Sequence, residues 1–214
     1  MAVYYPIMIN ISEKKCVVIG GGQVAERKVS SLLVYGAQVT VISPELTEKL
    51  KQFYGEKRIS YMNKTYDRGD LKDFYLVYVA VGNPVVNKAC LEEAQEGNKL
   101  INVVDVPDMC EFIVPASIKK GDLTVSISTN GKSPMLCRKI REDIEELLED
   151  INEEYIDILA DLRNIIRNEI HDIDKRKRIL EKIVYNDIID RIKTGEAINL
   201  KEALFEIYTY EKEN

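Results

Sequence analysis

Three consecutive glycines, Gly20-Gly21-Gly22, follow the apolar run Lys15-Cys16-Val17-Val18-Ile19 and open an amphipathic segment in which the small Ala25 comes three places later. The spacing Gly20-x-Gly22-x-x-Ala25 suits backbone that must lie against a pyrophosphate. The first glycine permits a tight turn, the second removes the side chain that would hold phosphate away, and the small third residue lets helix and strand pack closely. A helix beginning there offers unpaired N–H groups and the positive end of its dipole. The competing reading is a Gly-rich turn that binds nothing. A second residue with chemistry is Asp105, at the end of Asn102-Val103-Val104-Asp105 and just before Val106-Pro107. A carboxylate beyond the carboxyl end of a buried strand is placed to accept a proton from a ligand in that crevice. It is equally well placed to cap the turn before the proline, and position alone does not separate the two. Cys16, Cys90, Cys110 and Cys137 are scattered without a Cys-x-x-Cys pair, and His171 is the only histidine. No metal site of the usual Cys/His type is therefore expected. Cys110 reads as a structural thiol and His171 as solvated.

These residues need elements to position them. Lys15 to Ile19 reads as a strand, Val24 to Tyr35 as a helix stopped by Gly36, and Gln38 to Ile42 as a second strand closed by Ser43-Pro44. That is a βαβ unit. Ile59 to Met62 reads as an edge strand, Phe74 to Val81 as a strand covered on both faces, Pro84 to Glu96 as a helix with proline in its first turn, and Leu100 to Val104 as another buried strand. Alternating β and α elements predict a doubly wound parallel sheet. The fold class expected is α/β: an N-terminal Rossmann-like parallel sheet over residues 1–111, a small α+β dimerisation and substrate-loop region over 112–150, and a helical C-terminal domain over 151–214. In the middle region Phe112-Ile113-Val114 and Leu123 to Ser128 look strand-like, with Lys119 to Asp122 as the turn between them. Beyond Ser133 the apolar residues Ile140, Ile144, Leu147, Ile151, Tyr155, Ile158, Leu162 and Ile165 recur at three- and four-residue steps, the pattern of a long amphipathic helical face. Further helices are read near Lys175 to Lys193 and Leu200 to Tyr210.

The sheet brings together one expected cofactor set: Gly20, Gly22, Gln23, Val24, Ala25, Ser43, Pro44, Ala80, Val81, Gly82 and Asn102. The end of the second strand reads Ile42-Ser43-Pro44-Glu45, where an acidic residue usually holds the ribose hydroxyls. Ser43 or Glu45 can take that part. No arginine lies there to receive a 2′-phosphate, so NAD is favoured over NADP.

The 214 residues, 45% hydrophobic and 31% charged, fit a globular chain. A net charge of -6 argues against a nucleic-acid partner. No apolar run approaches the ~20 residues of a membrane helix, and no basic segment with an apolar stretch opens the chain. A cytoplasmic protein without membrane or nucleic-acid partners is expected.

With these motifs in view, the sequence resembles the precorrin-2 dehydrogenase family, the sirohydrochlorin-forming part of siroheme synthases. The resemblance rests on Tyr5-Pro6-Ile7, on Val17 to Lys28 around the glycine turn, and on Asn102-Val103-Val104-Asp105 with Pro107. It rests also on Phe112-Ile113-Val114-Pro115-Ala116 and on Ser126-Ile127-Ser128-Thr129-Asn130-Gly131-Lys132-Ser133-Pro134. They stand in the family's order over roughly residues 1 to 150. The resemblance implies oxidation of precorrin-2, a polycarboxylated tetrapyrrole, to sirohydrochlorin with NAD⁺ as hydride acceptor. It implies Asp105 as the catalytic residue, a homodimer, and Thr129, Asn130, Gly131, Lys132 and Ser133 as a substrate-binding loop. Some members of the family also insert Fe²⁺ into sirohydrochlorin. Family members often carry a serine and a second glycine where this chain has Thr129 and Asn130. Lys132, Arg138, Lys139 and Arg141 are candidates for holding the substrate's carboxylates, each weighed against a plain solvated charge. An NAD(H)-sensing Rossmann module without catalysis is the second reading. Such a sensor has no use for Asn-Val-Val-Asp followed by Phe-Ile-Val-Pro-Ala.

Overall fold

The computed structural model describes residues 4–149 and 153–213. The chain divides at Val114–Pro115 into two units.

In the first unit, strands β1 (Lys15–Ile19), β2 (Gln38–Ile42), β3 (Ile59–Met62), β4 (Leu76–Val79) and β5 (Leu100–Val103) form one sheet in the order β3-β2-β1-β4-β5. Every pairing is parallel. Because successive strand residues face opposite sides, the two halves of each strand sequence make two cores. Cys16 and Val18 join Ala25, Val29 and Leu32 of helix α1 (Gln23–Val34). Val17 and Ile19 join Cys90 and Ala94 of helix α3 (Pro84–Glu96). Both faces are covered, which is why β1 and β4 read as nearly unbroken apolar runs. The strand order reverses between β1 and β4, the place where an open parallel sheet leaves a crevice for a ligand.

The sequence reading and the structure coincide for β1, β2, the edge strand β3 and α3. Helix α2 (Glu48–Gly55) was not anticipated. Thr47 marks it: its hydroxyl accepts the Leu50 N–H at 3.3 Å as an N-cap. The expected strand Phe74–Val81 is shorter, because pairing stops where β1 ends. The long connection between β3 and β4 is tied by buried Glu93 of α3. Its carboxylate accepts the Tyr66 hydroxyl at 2.6 Å and the N–H groups of Gly69 and Leu71 at 2.9 and 2.8 Å.

In the second unit, β6 (Ala116–Lys120) and β7 (Leu123–Ile127) pair as an antiparallel hairpin. This corrects two expectations. Phe112–Val114 lies in no strand, and Lys119 and Lys120 belong to β6 rather than to the turn, which is Gly121-Asp122 with Gly121 at φ +53°. The lysines fit a strand because they reach outward: the Lys120 amine donates to the Leu148 carbonyl at 2.6 Å. Helix α4 (Pro134–Leu147) follows. A separate bundle comprises α5 (Glu153–Glu169), α6 (Ile173–Val184), α7 (Ile188–Lys193) and α8 (Leu200–Glu213). Its core holds Ile158, Leu162, Ile166, Ile179, Ile183 and Leu204. The apolar face read as continuous from Ile140 is thus carried by two helices, and the span read as one helix near Lys175–Lys193 is α6 and α7. Ile151 and the expected domain boundary at 150/151 lie outside the described residues. Among the described residues no helix is long and apolar enough to cross a membrane.

Candidate functional site

The glycine turn is shaped by its neighbours. Gly20 has φ +116°, and a Cβ there would stand 2.6 Å from the Ala80 carbonyl oxygen. The turn can therefore nestle between the ends of β2 and β4, with Gly20 N–H donating to Ile42 at 2.9 Å and Ala80 N–H donating to Ile19 at 2.8 Å. Gly21, which the x of the motif passes over, is the most crowded of the three. A Cβ would fall 1.9 Å from the Glu45 carbonyl oxygen and 2.8 Å from Ser43 Oγ. Its own carbonyl accepts Thr47 N–H at 3.0 Å, so the segment from Ser43 to Thr47 is drawn against the turn. Thr47 Oγ1 also donates to Glu26 of α1 at 2.6 Å.

Gly22 differs. A Cβ on it would meet nothing within 4 Å. It is the N-cap of α1, in extended backbone, and no side chain caps the helix. The first N–H groups of α1, which no intrahelical carbonyl can reach, therefore open onto space that only the missing side chain keeps clear. Bare backbone, an uncapped helix start and the positive dipole end fit a dinucleotide's pyrophosphate.

Gln23 and Pro44 are exposed, Val24 is half-buried and Ala25 fully buried. Ala25 serves by being small, in the close contact of α1 with the sheet. Ser43 is buried and its hydroxyl accepts Glu45 N–H at 3.4 Å. Glu45 is exposed. Ala80, Val81 and Gly82 follow β4 directly, across the reversal point from Gly20. Asn102 is also buried, and its amide donates to the Phe112 carbonyl at 2.9 Å. The geometry gives it the work of holding the chain after β5.

Asp105 follows β5 by two residues, in the left-handed region at φ +62°. Aspartate is among the few non-glycine residues that tolerate this region. Its side chain is exposed, and among the described residues it accepts no hydrogen bond and forms no ion pair. The turn beneath it is tied. Val106 N–H donates to Val103 at 3.2 Å, and the Cys110 thiol donates to the Val103 and Val106 carbonyls at 3.1 and 3.3 Å. Cys110 is therefore structural, as the sequence suggested. Burial pushes its thiol above the ordinary range, and burial holds Cys16 at about 11 and Cys90 at about 12. None of these three is poised as a thiolate at neutral pH.

The expected substrate loop lies in the second unit. Thr129 Oγ1 accepts Ser133 N–H at 2.9 Å, and the Thr129 carbonyl accepts Lys132 N–H at 3.1 Å. Asn130 and Gly131 take φ +52° and +80°. Asn130 thus keeps a conformation that glycine adopts freely, because asparagine also enters the left-handed region. Ser133 is the N-cap of α4, accepting Leu136 N–H at 3.3 Å. Of the candidate cations, Arg138, Lys139 and Arg141 pair with Glu142, Asp143 and Glu145 one turn on. Arg138 and Lys139 are exposed, and Arg141 is half-buried. Exposed Lys132 makes no ion pair among the described residues. His171 is exposed, between α5 and α6.

The crowding at Gly21 separates support from binding. Gly21→Ala is expected to lower the melting temperature by several degrees, since its Cβ overlaps a backbone oxygen that cannot swing aside. Gly22→Ala, with open space around its Cβ, is expected to leave the melting temperature within a degree or two. Differential scanning calorimetry of the two variants without cofactor checks the contrast.

Residues 7–116 match the NAD_binding_7 family model, described as NAD(P)-binding, and residues 120–147 match the sirohaem biosynthesis protein central model. The chain is 31% identical over 201 residues to the siroheme synthase of Ruthia magnifica subsp. Calyptogena magnifica. It is 33% identical over 201 residues to that of Nitrosococcus oceani. Each alignment covers 94% of this chain and 43% of the relative, so the chain spans less than half the length of these relatives. A solved structure described as SirC, precorrin-2 dehydrogenase, superposes with TM-score 0.78 at 22% identity, over 99% of this chain and all of that one. It shares the fold.

Proposed function

The chain belongs to the NAD(P)-binding family that matches its first half, with the sirohaem biosynthesis central module behind it, and from this premise we propose that it oxidises precorrin-2 to sirohydrochlorin with NAD⁺. One observation carries the reading: an unpaired carboxylate, Asp105, stands past the end of β5, in the sheet whose glycine turn presents an uncapped helix start. A dehydrogenation of this kind removes a hydride and a proton from adjacent atoms. The bound cofactor supplies the hydride acceptor. Asp105 takes the proton, and its side chain is free to do so because no partner among the described residues occupies its oxygens. The backbone at Gly22 and the first N–H groups of α1 hold the pyrophosphate. Gly20 and Gly21 keep the turn close to the sheet. The absence of arginine in Ile42 to Thr47 leaves no counter-charge for a 2′-phosphate, which favours NAD over NADP.

In the second unit, Thr129 to Ser133 contributes backbone and hydroxyl donors for the substrate, and Lys132 supplies an unpaired positive charge for its carboxylates. The homodimer and cytoplasmic setting that the resemblance implies belong to the same proposal. Iron insertion, also implied for some members, would use Asp105 to take pyrrole N–H protons, with Fe²⁺ as substrate. The sensing alternative has no role for a base.

The test is direct. Precorrin-2 and NAD⁺ are mixed with the protein and NADH absorbance is followed. NADH formation above the uncatalysed rate is expected, and none would favour the sensor. Sirohydrochlorin with Fe²⁺ and no NAD⁺ examines the second activity. Equal rates with and without protein would confine the chain to the redox step.

A further inference from the structure

Asn87 belongs to no part of the cofactor motif. It lies inside helix α3, where asparagine is disfavoured because its side chain competes for backbone partners, and it is only 6% exposed. A buried amide is costly unless its hydrogen bonds are made. With its nitrogen turned towards the acceptors around it, the Asn87 side chain makes two. It donates to the Val81 carbonyl at 3.2 Å and to the Asn83 carbonyl at 3.3 Å. The Asn87 backbone N–H donates to the same Asn83 carbonyl at 2.9 Å. Both amide hydrogens are thus spent on the segment that joins β4 to α3.

That segment leaves β4 where the strand order reverses. Its other ties lie at its ends. Ala80 N–H donates to Ile19 at 2.8 Å, and the Asn83 side chain accepts the N–H groups of Val85 and Val86 at 3.0 and 3.4 Å. Among the described residues, the Val81 carbonyl has no donor but Asn87. Gly82, between the two held carbonyls, is exposed, and a Cβ on it would meet nothing within 4 Å. The segment also touches the glycine turn. A Cβ on Gly20 would stand 2.6 Å from the Ala80 carbonyl oxygen and 3.2 Å from Val81 Cγ1, so neither can shift without the other.

We propose that Asn87 is a positioning residue of the cofactor crevice: from beneath, it holds the Val81 and Asn83 carbonyls inward and so keeps the backbone at Gly82 open and in place for the dinucleotide. The inference rests on reading the β1–β4 crevice as the NAD⁺ site and deepens it. Capping of α3 does not account for Asn87, because the Asn83 side chain already fills that role. What Asn87 adds is the tie to Val81, beyond the cap, which the helix itself does not need. Without that tie the segment moves more freely in the unbound protein, and the need to order it on binding weakens affinity.

The experiment uses the full chain and calorimetric titration with NAD⁺. Asn87→Leu, an apolar side chain of similar branching, removes both donors and should raise the Kd for NAD⁺ about tenfold. Tyr66→Phe is the control. It deletes the hydroxyl that donates to Glu93 of the same helix at 2.6 Å, and should lower the melting temperature while leaving the Kd at the wild-type value. In protein labelled with ¹⁵N-glycine, the Gly82 amide signal is identified by its absence in Gly82→Ala. Its relaxation should show larger fast motion in Asn87→Leu and none added in Tyr66→Phe. Asn87→Asp keeps the shape but, when ionised, offers no donor. It should reproduce both effects, and it decides should Asn87→Leu not fold. Wild-type affinity in the Asn87 variants, or a loss no greater than that in Tyr66→Phe, overturns the proposal. The cofactor reading fails separately: wild type that binds no NAD⁺ removes the crevice assignment, while the Gly82 relaxation still reports whether Asn87 holds the segment.

Discussion

Asp105→Asn is expected to lower precorrin-2 turnover by about 10²- to 10⁴-fold, the usual contribution of a positioned general base, while NAD⁺ affinity stays at the wild-type value. The substitution isolates the proton-accepting step unusually well. Asparagine has nearly the same shape as aspartate and tolerates φ +62°, so the turn has no reason to move. The side chain is exposed and unpaired, so the fold loses no contact. The ties beneath it run through Cys110, Asn102 and backbone, none of which is touched. Only the ability to take a proton is lost. Steady-state NADH formation gives kcat, and calorimetric titration with NAD⁺ gives the affinity. Turnover of the Asn variant within a few-fold of wild type would remove Asp105 from the base role. A parallel loss of affinity and turnover would instead make it a cofactor contact.

Local sequence carried the sheet well because each strand is short, apolar and closed by glycine, proline or asparagine. Ser43-Pro44 ends β2, and Asn83 caps α3 by accepting the N–H groups of Val85 and Val86 at 3.0 and 3.4 Å. Such signals are written in adjacent residues. What could not be read there depends on distant neighbours. Gly21 is an unspecified position in the motif, yet Glu45, twenty-four residues later, makes it the most restrictive of the three glycines. A run of three glycines was the available sign, since the motif needs only two. Phe112–Val114 has strand composition, but Phe112 is spent on the Tyr78 ring and its backbone on Asn102, so no strand forms. The Lys28 ammonium meets the ring of Tyr78, fifty residues on, at 5.2 Å, a contact made only once β4 lies beside β1. The hairpin lysines misled for the complementary reason, since alternation along β6 matters more than the low strand preference of Lys119 and Lys120.

Gly22→Asp tests the other half of the site, with effects of opposite sign on stability and binding. Gly22 is the N-cap of α1, at φ -84° and ψ -173°, a conformation any residue adopts, and its Cβ meets no atom within 4 Å. Aspartate there can accept the N–H of the second or third helical residue and place negative charge at the positive end of the dipole. Relative to the glycine already there, a cap of this kind is worth only about a few tenths of a kcal/mol. The variant should therefore melt at or slightly above the wild-type temperature. The same carboxylate fills the space proposed for the pyrophosphate and takes the donors it would use, so NAD⁺ affinity should fall at least about a hundredfold, roughly 3 kcal/mol. Gly22→Asn separates the causes, because it keeps the cap and the bulk but not the charge, and should lose less affinity. A general loosening of the turn lowers stability and affinity together, whereas occupation of an anion site lowers affinity alone. Calorimetry supplies both numbers from one preparation. Undiminished binding by the Asp variant would mean that the pyrophosphate does not lie over the start of α1, and the hydride acceptor would then have to be sought away from the β1–β4 crevice.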